Sequence, residues 1–392
     1  MKISTLNTTK NIATVKENVK KYLPIDSRIY AVILGIFTLI GLAYILKRRN
    51  DFKVEQIRQD KANREKADAE FLPIKTTAAA MMASIKDLEN ITDDEFYGLD
   101  QPIQKLIEDS KIKALKRPEN PKIEERVYCY NFRFEDIECP EHTVLALKGE
   151  KFGITGKKPT IGDNSDFLHA NEMDIRGQRY IAGQYPVHRE LFWSTIKDQV
   201  NVIVDLTNDA DLRKRDTILT SYVPDVVEPI KYPSGLTVNF KSETVKEGFT
   251  TYKYLVNGSG VDKEISRIHF TDWEDKQGLE DISKLTKMID YILKEFPQNA
   301  NTRPFIHCRA GVGRTGTLIT CLALAAFINN GTVKTKDELK TKMFEAIVEG
   351  RLQRGITYVQ TPDQLGSIWK FANSYLDSKK SKLLTQLEKL PK

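Results

Sequence analysis

The sequence contains few residues of the types that build metal sites and disulfide frameworks. Its 392 residues include four cysteines and five histidines. Cys129, Cys139, Cys308 and Cys321 show no CxxC spacing, so they indicate neither a zinc site nor a set of disulfides. A reducing compartment is the simpler interpretation for the domain that carries them. We expect no metal and no other cofactor.

The chain also lacks a strong excess of one charge and any visible internal repeat. Sixty lysines and arginines stand against 54 acidic residues, and the net charge of +6 is spread along the chain. This charge is too diffuse to favour nucleic acid as a partner. A composition of 40% hydrophobic and 29% charged residues is ordinary for a globular protein, and the length suffices for a sizeable core.

One long apolar run stands near the N-terminus. Residues 29–46, IYAVILGIFTLIGLAYIL, carry no charge and are bounded by Arg28 and by basic residues 47–49. The run reaches the lower limit for a membrane-spanning helix and lacks the polar face of a core helix. Basic residues are denser after it, which favours a cytoplasmic C-terminal part. We expect a single-pass anchor at 28–47 after a short tail at 1–27, with a signal peptide or a buried helix as the alternative.

The remainder divides into a linker, a domain and a tail. Residues 48–95 include a stretch of alternating charges, which is typical of a solvated linker. In residues 96–375, apolar runs such as NVIVDL (201–206) alternate with amphipathic helical periods such as 279–296. This alternation predicts an α/β domain. Residues 376–392 form a lysine-rich amphipathic stretch, for which we expect an exposed helix.

The most informative segment is FIHCRAGVGRTGT at residues 305–317. A strand-like run leads into Cys308, and a helix-like apolar run follows Arg314. Glycines between them let backbone N–H groups converge on one point at a helix N-terminus, where anions bind. A guanidinium can hold two anion oxygens at once, and the same donors would stabilise a cysteine thiolate. The alternative is a buried structural cysteine beside a glycine turn. The predicted cradle consists of Arg309, Ala310, Gly311, Val312 and Gly313.

This Cys-x5-Arg arrangement resembles the signature of the protein tyrosine phosphatase family. The resemblance covers roughly residues 96–375. It implies a twisted mixed β-sheet flanked by helices, phosphotyrosine-containing proteins as substrates, and hydrolysis through a phosphocysteine. It also implies that Cys308 is the nucleophile, that Arg314 binds phosphate, that Thr315 donates to the leaving sulfur, and that His307 orients the loop.

Arg309 stands where animal members commonly have serine, and the cysteine loop therefore resembles some secreted bacterial tyrosine phosphatases. A composition rich in lysine, isoleucine and asparagine would suit a bacterial effector. The arginine adds positive charge at the pocket mouth, so we expect it to influence substrate preference.

Residues 267–278, RIHFTDWEDKQG, resemble the Trp-Pro-Asp loop of the family. The resemblance implies that Asp275 is the general acid and that Trp273 supports the loop. Glu274 replaces the usual proline, which puts the rigidity of the loop in question. Asp272 is a competing acid, but it precedes the tryptophan. Without the other motifs, the segment would be read as an acidic surface turn.

Two further segments resemble parts of the family's active site. YVQTPDQLGSIW (358–369) resembles the glutamine loop, which implies that Gln360 and Gln364 position the hydrolytic water. NFRFEDIECPEHTVLAL (131–147) resembles the phosphotyrosine-recognition loop. There Phe134 stands where tyrosine is usual and would stack on the substrate ring, and Asp136 would bind the peptide backbone of the substrate.

Two other functions stay open at this point. A phosphoinositide or inositol phosphatase shares the Cys-x5-Arg loop, although enzymes for highly charged headgroups tend to carry lysine inside it. This loop contains Arg309 as its single interior basic residue. A pseudophosphatase that binds phosphotyrosine would commonly lack the cysteine, the arginine or the acid. All three are present, and Glu274 is the best argument for that alternative.

Overall fold

The computed structural model describes residues 69, 71–116, 134, 136–146, 167–213, 219–258, 261–297 and 303–388. The expected membrane anchor at 28–47 and the tail at 1–27 lie outside these residues. Within the described part of the chain, no helix combines the length and the apolar character needed to cross a membrane.

A compact unit extends from Leu72 to Lys392. Its first helix includes residues 72–84 (α1), and α2 (Asp93–Gly98) and α3 (Asp100–Asp109) follow. Residues 72–95 belong to the segment for which the composition predicts a linker, but four of them are buried in the core. The first two lie three positions apart in α1, and the other two follow just after the end of this helix and pack in the same core. The four residues are Ala78, Met81, Ile85 and Leu88.

The described residues form a mixed nine-stranded sheet, which confirms the predicted α/β architecture. Its spatial order is β3-β4-β5-β11-β6-β10-β9-β8-β7. The central strands β5, β11, β6 and β10 are parallel, and the outer pairs are antiparallel. A separate antiparallel pair joins β1 to β2. The strands are β1 (Ala114–Leu115), β2 (Cys139–Pro140), β3 (Val144–Ala146), β4 (Phe167–Ile175), β5 (Gln178–Gly183), β6 (Val202–Asp205), β7 (Ile230–Lys231), β8 (Thr237–Lys246), β9 (Phe249–Gly258), β10 (Val261–His269) and β11 (Phe305–His307).

Both faces of the central strands are buried, because helices or other segments of the protein cover each side. Side chains alternate between two hydrophobic clusters, as the two-residue period of a strand requires. Val202 and Val204 of β6 belong to one cluster, and Ile203 belongs to the other. Ile306 and Phe305 of β11 divide in the same way. This burial explains why these strands read as continuous apolar runs in the sequence.

Six further helices lie among the described residues of the unit. The helix that follows the cysteine loop is buried on nearly all sides, as its apolar sequence predicts. The last helix continues through the described part of the lysine-rich tail, where most side chains after Leu376 are exposed. The six helices are α4 (Arg189–Ile196), α5 (Asp209–Arg213), α6 (Ile282–Glu295), α7 (Gly313–Asn329), α8 (Lys336–Arg354) and α9 (Pro362–Glu388).

The parallel strands bring three loops to one edge of the sheet. β11 ends at His307 and leads into the cysteine loop, β10 ends at His269 and leads into the predicted acid loop, and β6 ends at Asp205. Because parallel strands share a carboxyl edge, these loops lie together although they are distant in sequence.

Candidate active site

The cysteine loop turns tightly around the sulfur of Cys308. The backbone N–H of Gly311 donates to the Cys308 Sγ at 3.2 Å, and Cys308 is buried. Gly311 has a φ of 77°, and a Cβ at this position would lie 2.1 Å from the carbonyl oxygen of Gly183. A side chain is therefore excluded both by backbone conformation and by space. The sequence predicted this need for glycine, and the structure shows its cause.

The carbonyl groups of the cysteine loop are bound from outside. Arg354 donates from Nε to the Gly311 oxygen at 3.0 Å and from Nη2 to the Ala310 oxygen at 3.4 Å. Val359 donates its N–H to the Val312 oxygen at 3.3 Å. In a trans peptide the C=O and the following N–H point in opposite directions, so this arrangement favours N–H groups that face the sulfur. Sequence reasoning missed Arg354, which lies at the end of α8 without a recognisable motif.

Arg314 lies in the first turn of α7 and is almost fully buried. Its Nη1 donates to the carbonyl oxygens of Leu206 and Trp273, each at 2.9 Å. Its Nε is buried without a hydrogen-bond partner among the described residues, so this donor is free for an anion. Burial alone would lower the pKa of Arg314, but the Cys308 sulfur, Asp211 and Asp275 outweigh burial and raise it.

Asp211 holds the guanidinium of Arg314 through two hydrogen bonds. Its carboxylate oxygens accept from Nη1 at 2.7 Å and from Nη2 at 3.0 Å, and both side chains are buried. Asn208 fixes Asp211 in turn, because the N–H of each residue donates to the side chain of the other. Sequence reasoning missed Asp211. The available signal was an acidic residue shortly after the buried strand NVIVDL.

The predicted acid loop packs against the same guanidinium. Asp275 accepts from Nη2 of Arg314 at 3.3 Å, and its side chain is 26% exposed. Trp273 is buried, and its indole N–H donates to the Gln277 carbonyl oxygen at 2.9 Å. Asp272 instead pairs with Lys284 of α6 and is exposed. The structure thus brings Asp275, and not Asp272, to Arg314.

The two predicted glutamines lie against the start of α7. A Cβ on Gly313 would come within 2.5 Å of the Gln360 Oε1 and 2.9 Å of the Gln364 Nε2. The Gln364 Oε1 accepts from the Gln360 N–H at 2.8 Å. The Gln364 Nε2 is buried and has no partner among the described residues. An amide donor is therefore held beside the cysteine loop, where it could bind a water.

The remaining predicted site residues differ in how closely the structure ties them to the loop. Arg309 is buried, and its guanidinium lies 5.4 Å from the ring centroid of the half-buried Phe134, which is a cation–π contact. Asp136 is exposed. Thr315 is buried, and its hydroxyl has no hydrogen-bond partner among the described residues. Its role toward the sulfur stays a prediction.

His307 lies beneath the cysteine loop in a buried polar network. Burial lowers the pKa of His307 despite the nearby carboxylate of Asp205, so the ring is neutral at neutral pH. Nδ1 lies 3.3 Å from the Cys308 carbonyl oxygen, which can only accept, so Nδ1 carries the proton. Nε2 then accepts from the Tyr222 hydroxyl at 2.8 Å. This geometry suits an orienting role for His307.

A buried ion pair stands next to this histidine and was not anticipated from the sequence. Arg267 of β10 donates from Nη2 to Asp205 of β6 at 2.7 Å. Burial alone would raise the pKa of Asp205, but the charges of His307, when it is protonated, and of Arg267 outweigh burial and hold the pKa well below the usual range. The pair joins the strand before the acid loop to its parallel neighbour.

A family model for protein-tyrosine phosphatase matches residues 130–373. Human receptor-type tyrosine-protein phosphatase alpha is 25% identical over 291 residues, which cover 72% of this chain and 33% of the relative. Human tyrosine-protein phosphatase non-receptor type 2 is 29% identical over 244 residues, which cover 59% of this chain and 53% of the relative. The chain thus spans about a third to a half of the length of these relatives.

The fold shows the same likeness. A solved structure of PTPN18 in complex with phosphopeptides of HER2 aligns with a TM-score of 0.59 and 18% identity, covering 72% of this chain and 92% of that chain. At this identity the likeness shows the fold alone. The family match is the stronger finding, because it covers more than half of the chain and includes the loops of Cys308, Asp275 and Gln360. The chain belongs to the protein-tyrosine phosphatase family.

Proposed function

We propose that this protein hydrolyses phosphotyrosine in protein substrates through a phosphocysteine intermediate. One observation carries the proposal: Arg314 stands in the first turn after the Cys308 loop and simultaneously bonds the loop that carries Asp275. A thiol nucleophile, an anion-binding guanidinium and a carboxyl proton donor thus belong to one connected site. The family match and the tyrosine-phosphatase names of the relatives support the same activity.

The first chemical step transfers the phosphoryl group to sulfur. Phosphate oxygens accept hydrogen bonds from the loop N–H groups and from Arg314, which stabilises charge as the transition state forms. The Cys308 thiolate attacks phosphorus, the S–P bond forms, and the bond to the tyrosine oxygen breaks. Asp275 gives its proton to the departing phenolate oxygen. Phosphate that binds Arg314 would also compete with the Asp275 carboxylate for this guanidinium.

The second step regenerates the enzyme. A water held by Gln360 and Gln364 gives a proton to Asp275 and attacks phosphorus, and the S–P bond breaks. Inorganic phosphate and the Cys308 thiolate are the products. Thr315 is assigned the role of a hydrogen-bond donor to the departing sulfur, because its buried hydroxyl has no partner among the residues that the structure describes.

Substrate class is the open choice within this mechanism. Phe134 stands beside Arg309 and offers an aromatic wall for a phosphotyrosine ring. PTPN18 has been solved with phosphopeptides, which supports a peptide substrate by analogy. Asp136 is assigned to the substrate's peptide backbone. Arg309 is the observation that keeps an inositol phosphate or phosphoinositide as the second candidate, because it adds a cation to the loop.

A substrate panel tests the proposal. The full chain is assayed for phosphate release from phosphotyrosine peptides, phosphoserine peptides and short-chain phosphoinositides, with Cys308→Ser as the inactive control. We expect the highest kcat/KM on phosphotyrosine peptides. A kcat/KM that is highest on phosphoinositides would contradict the proposed substrate, and release that persists in Cys308→Ser would contradict the mechanism.

We also propose that residues 28–47 anchor the catalytic unit to a membrane as a single-pass helix, with that unit on the cytoplasmic side. The apolar run at 29–46 and the basic residues after it support this proposal. The compact unit from Leu72 onward would then hold the activity, with residues 48–71 as the tether. A bacterial effector is the source that the composition and Arg309 favour.

Removal of residues 1–50 tests the anchor. The shortened protein should move from the membrane fraction to the soluble fraction and keep its kcat/KM on a small aryl phosphate. Retention in the membrane fraction would contradict the anchor, and loss of activity would contradict its separation from the catalytic unit.

A further inference from the structure

The C-terminal half of the acid loop is bonded to helix α9. The backbone N–H of Leu279 donates to the Ser367 Oγ at 2.8 Å. The same hydroxyl donates to the Asp363 carbonyl oxygen one turn earlier, also at 2.8 Å. Ser367 is only 4% exposed. We refer to this pair of hydrogen bonds as the Ser367 staple. It uses both the acceptor and the donor of one buried hydroxyl.

Gly278 lets the loop approach α9 closely enough for this staple. A Cβ at Gly278 would lie 2.7 Å from the Asp363 carbonyl oxygen and 2.8 Å from the Ser367 Oγ. Such distances are far inside ordinary contact, and the nearest atom belongs to helix backbone, which yields little. The glycine and the serine are therefore complementary parts of one contact.

Asp275 lies between two fixed points of the acid loop. On its N-terminal side, the Trp273 carbonyl oxygen accepts from Arg314 at 2.9 Å. On its C-terminal side, the Trp273 indole bonds to Gln277, and the staple follows at Leu279. Glu274 occupies the position where a proline would have restricted the backbone. The staple supplies a restraint of another kind in this loop.

Helix α9 also carries the predicted water-binding group. Gln364 lies one turn before Ser367, and its side chain bonds the backbone of Gln360. In the proposed second step, Asp275 takes a proton from a water held by these glutamines. The staple therefore joins the loop of the proton acceptor to the helix that carries Gln364, which restricts their separation.

We propose that Ser367 is a positioning residue for Asp275: its hydroxyl holds the acid loop on α9 so that Asp275 reaches the leaving oxygen. This inference rests on the proposed phosphatase function. It assigns to Ser367 no contact with the substrate. Its effect should be confined to steps that need the Asp275 proton.

The test compares kcat/KM for two aryl phosphates, one with a weakly acidic phenol and one with a strongly acidic phenol. We expect Ser367→Ala to lower kcat/KM about tenfold on the poor leaving group, the effect of losing one buried hydrogen bond, and less than about twofold on the good one. Ser381→Ala is the matched control, because Ser381 makes the same bond to a carbonyl oxygen four residues earlier in α9, at 3.0 Å, away from the loop. Alkylation of Cys308 by iodoacetate should proceed at the wild-type rate in both variants.

A second variant reaches the same contact from the loop side. Gly278→Ala should produce the same selective loss on the poor leaving group, and it keeps the test possible if Ser367→Ala does not fold. In an Asp275→Ala background, neither change should lower kcat/KM further, because the proton donor is already absent.

The outcomes separate this inference from the proposed function. If Asp275→Ala shows leaving-group dependence while Ser367→Ala and Gly278→Ala do not, the staple does not position the acid and the inference is overturned. An equal loss on both substrates, or a full additional loss in the Asp275→Ala background, would also overturn it, since either indicates a general structural effect. If Asp275→Ala itself shows no leaving-group dependence, the proposed acid is wrong and the inference fails with it.

Discussion

Replacement of Asp211 should disable Arg314, the proposed phosphate-binding residue, although Asp211 itself makes no contact with the substrate in the proposed mechanism. In the structure, Asp211 binds both terminal nitrogens of Arg314, at 2.7 and 3.0 Å, in a nearly dry environment. Asp211→Ala leaves a buried guanidinium without its main counter-charge. Removal of one partner of a buried pair costs about 3–5 kcal/mol. Arg314 keeps its hydrogen bonds to the carbonyl oxygens of Leu206 and Trp273 and to Asp275. We therefore expect Asp211→Ala to lower the free energy of unfolding by about 3 kcal/mol, the lower end of this range.

The catalytic effect should be about as large, in free energy, as the effect on folding. A shift of about 1 Å in the position of Arg314 should lower the reaction rate roughly a hundredfold, because stabilisation of the transition state depends on that position. We therefore expect kcat/KM of Asp211→Ala to fall by about 10², with a smaller fall for Asp211→Asn, which keeps one acceptor oxygen. Urea unfolding gives the stability, and initial rates on a phosphotyrosine peptide give kcat/KM.

A matched control lies two residues away on the same short helix. Asp209 pairs with Arg213, but both side chains are 80% exposed, and such pairs contribute at most about 1 kcal/mol. Asp209→Ala should leave stability and kcat/KM nearly unchanged. If Asp211→Ala behaved like Asp209→Ala, Asp211 would not hold Arg314 in solution, and the geometry described for the site would be wrong.

Two further predictions concern ionisable groups. Asp275→Ala should slow turnover by about 10²–10⁴-fold, most on poor leaving groups, and should remove the basic limb of the pH–rate profile. Asp272→Ala should keep that limb, because Asp272 faces Lys284. The opposite result would exchange the two roles. Burial raises the pKa of Glu349 from 4.5 to about 8, and its nearest cation, Arg176, is 3.5 Å away. The folded state thus holds the Glu349 proton more tightly than the unfolded state. The contribution of this proton to the free energy of unfolding is therefore complete below about pH 4.5 and is lost as the pH rises through 8. Glu349→Gln should abolish this loss in urea unfolding at pH 5.5 and 7.5, and an unchanged pH dependence would contradict it.

The sequence predicted the parts of the site that are local in the chain. The cysteine loop, the Trp273–Asp275 segment and the pair Gln360 and Gln364 each lie within a few residues, so residue type and spacing identify them. The structure brings all three groups to one edge of the sheet. It also places Asp275, which the resemblance to the Trp-Pro-Asp loop favoured as the acid, against Arg314 and turns Asp272 toward α6.

The residues that sequence reasoning missed are single side chains with distant partners. Asp211 and Arg314 are 103 positions apart, and Arg354 is 43 positions from the Gly311 carbonyl that it binds. Neither has a periodic pattern, because each acts through one contact created by the fold. Their burial satisfies polar groups of the cysteine loop that no local residue could reach.

The beginning of the compact unit was placed too late for a different reason. Charged residues before position 70 have the composition of a linker, and average composition alone does not separate them from residues 72–95. The apolar spacing of Ala78, Met81, Ile85 and Leu88 was the available evidence for a packed segment. Periodicity, rather than average composition, decides such boundaries.

Chemical trapping of the intermediate tests the central claim most directly. The full chain is mixed rapidly with a phosphotyrosine peptide that carries a radiolabelled phosphate, quenched in denaturant, digested and sequenced by mass spectrometry. We predict label on the Cys308 sulfur within the first turnover, and no labelled protein for Cys308→Ser. Turnover without any labelled protein, or label on a residue other than Cys308, would contradict the phosphocysteine mechanism.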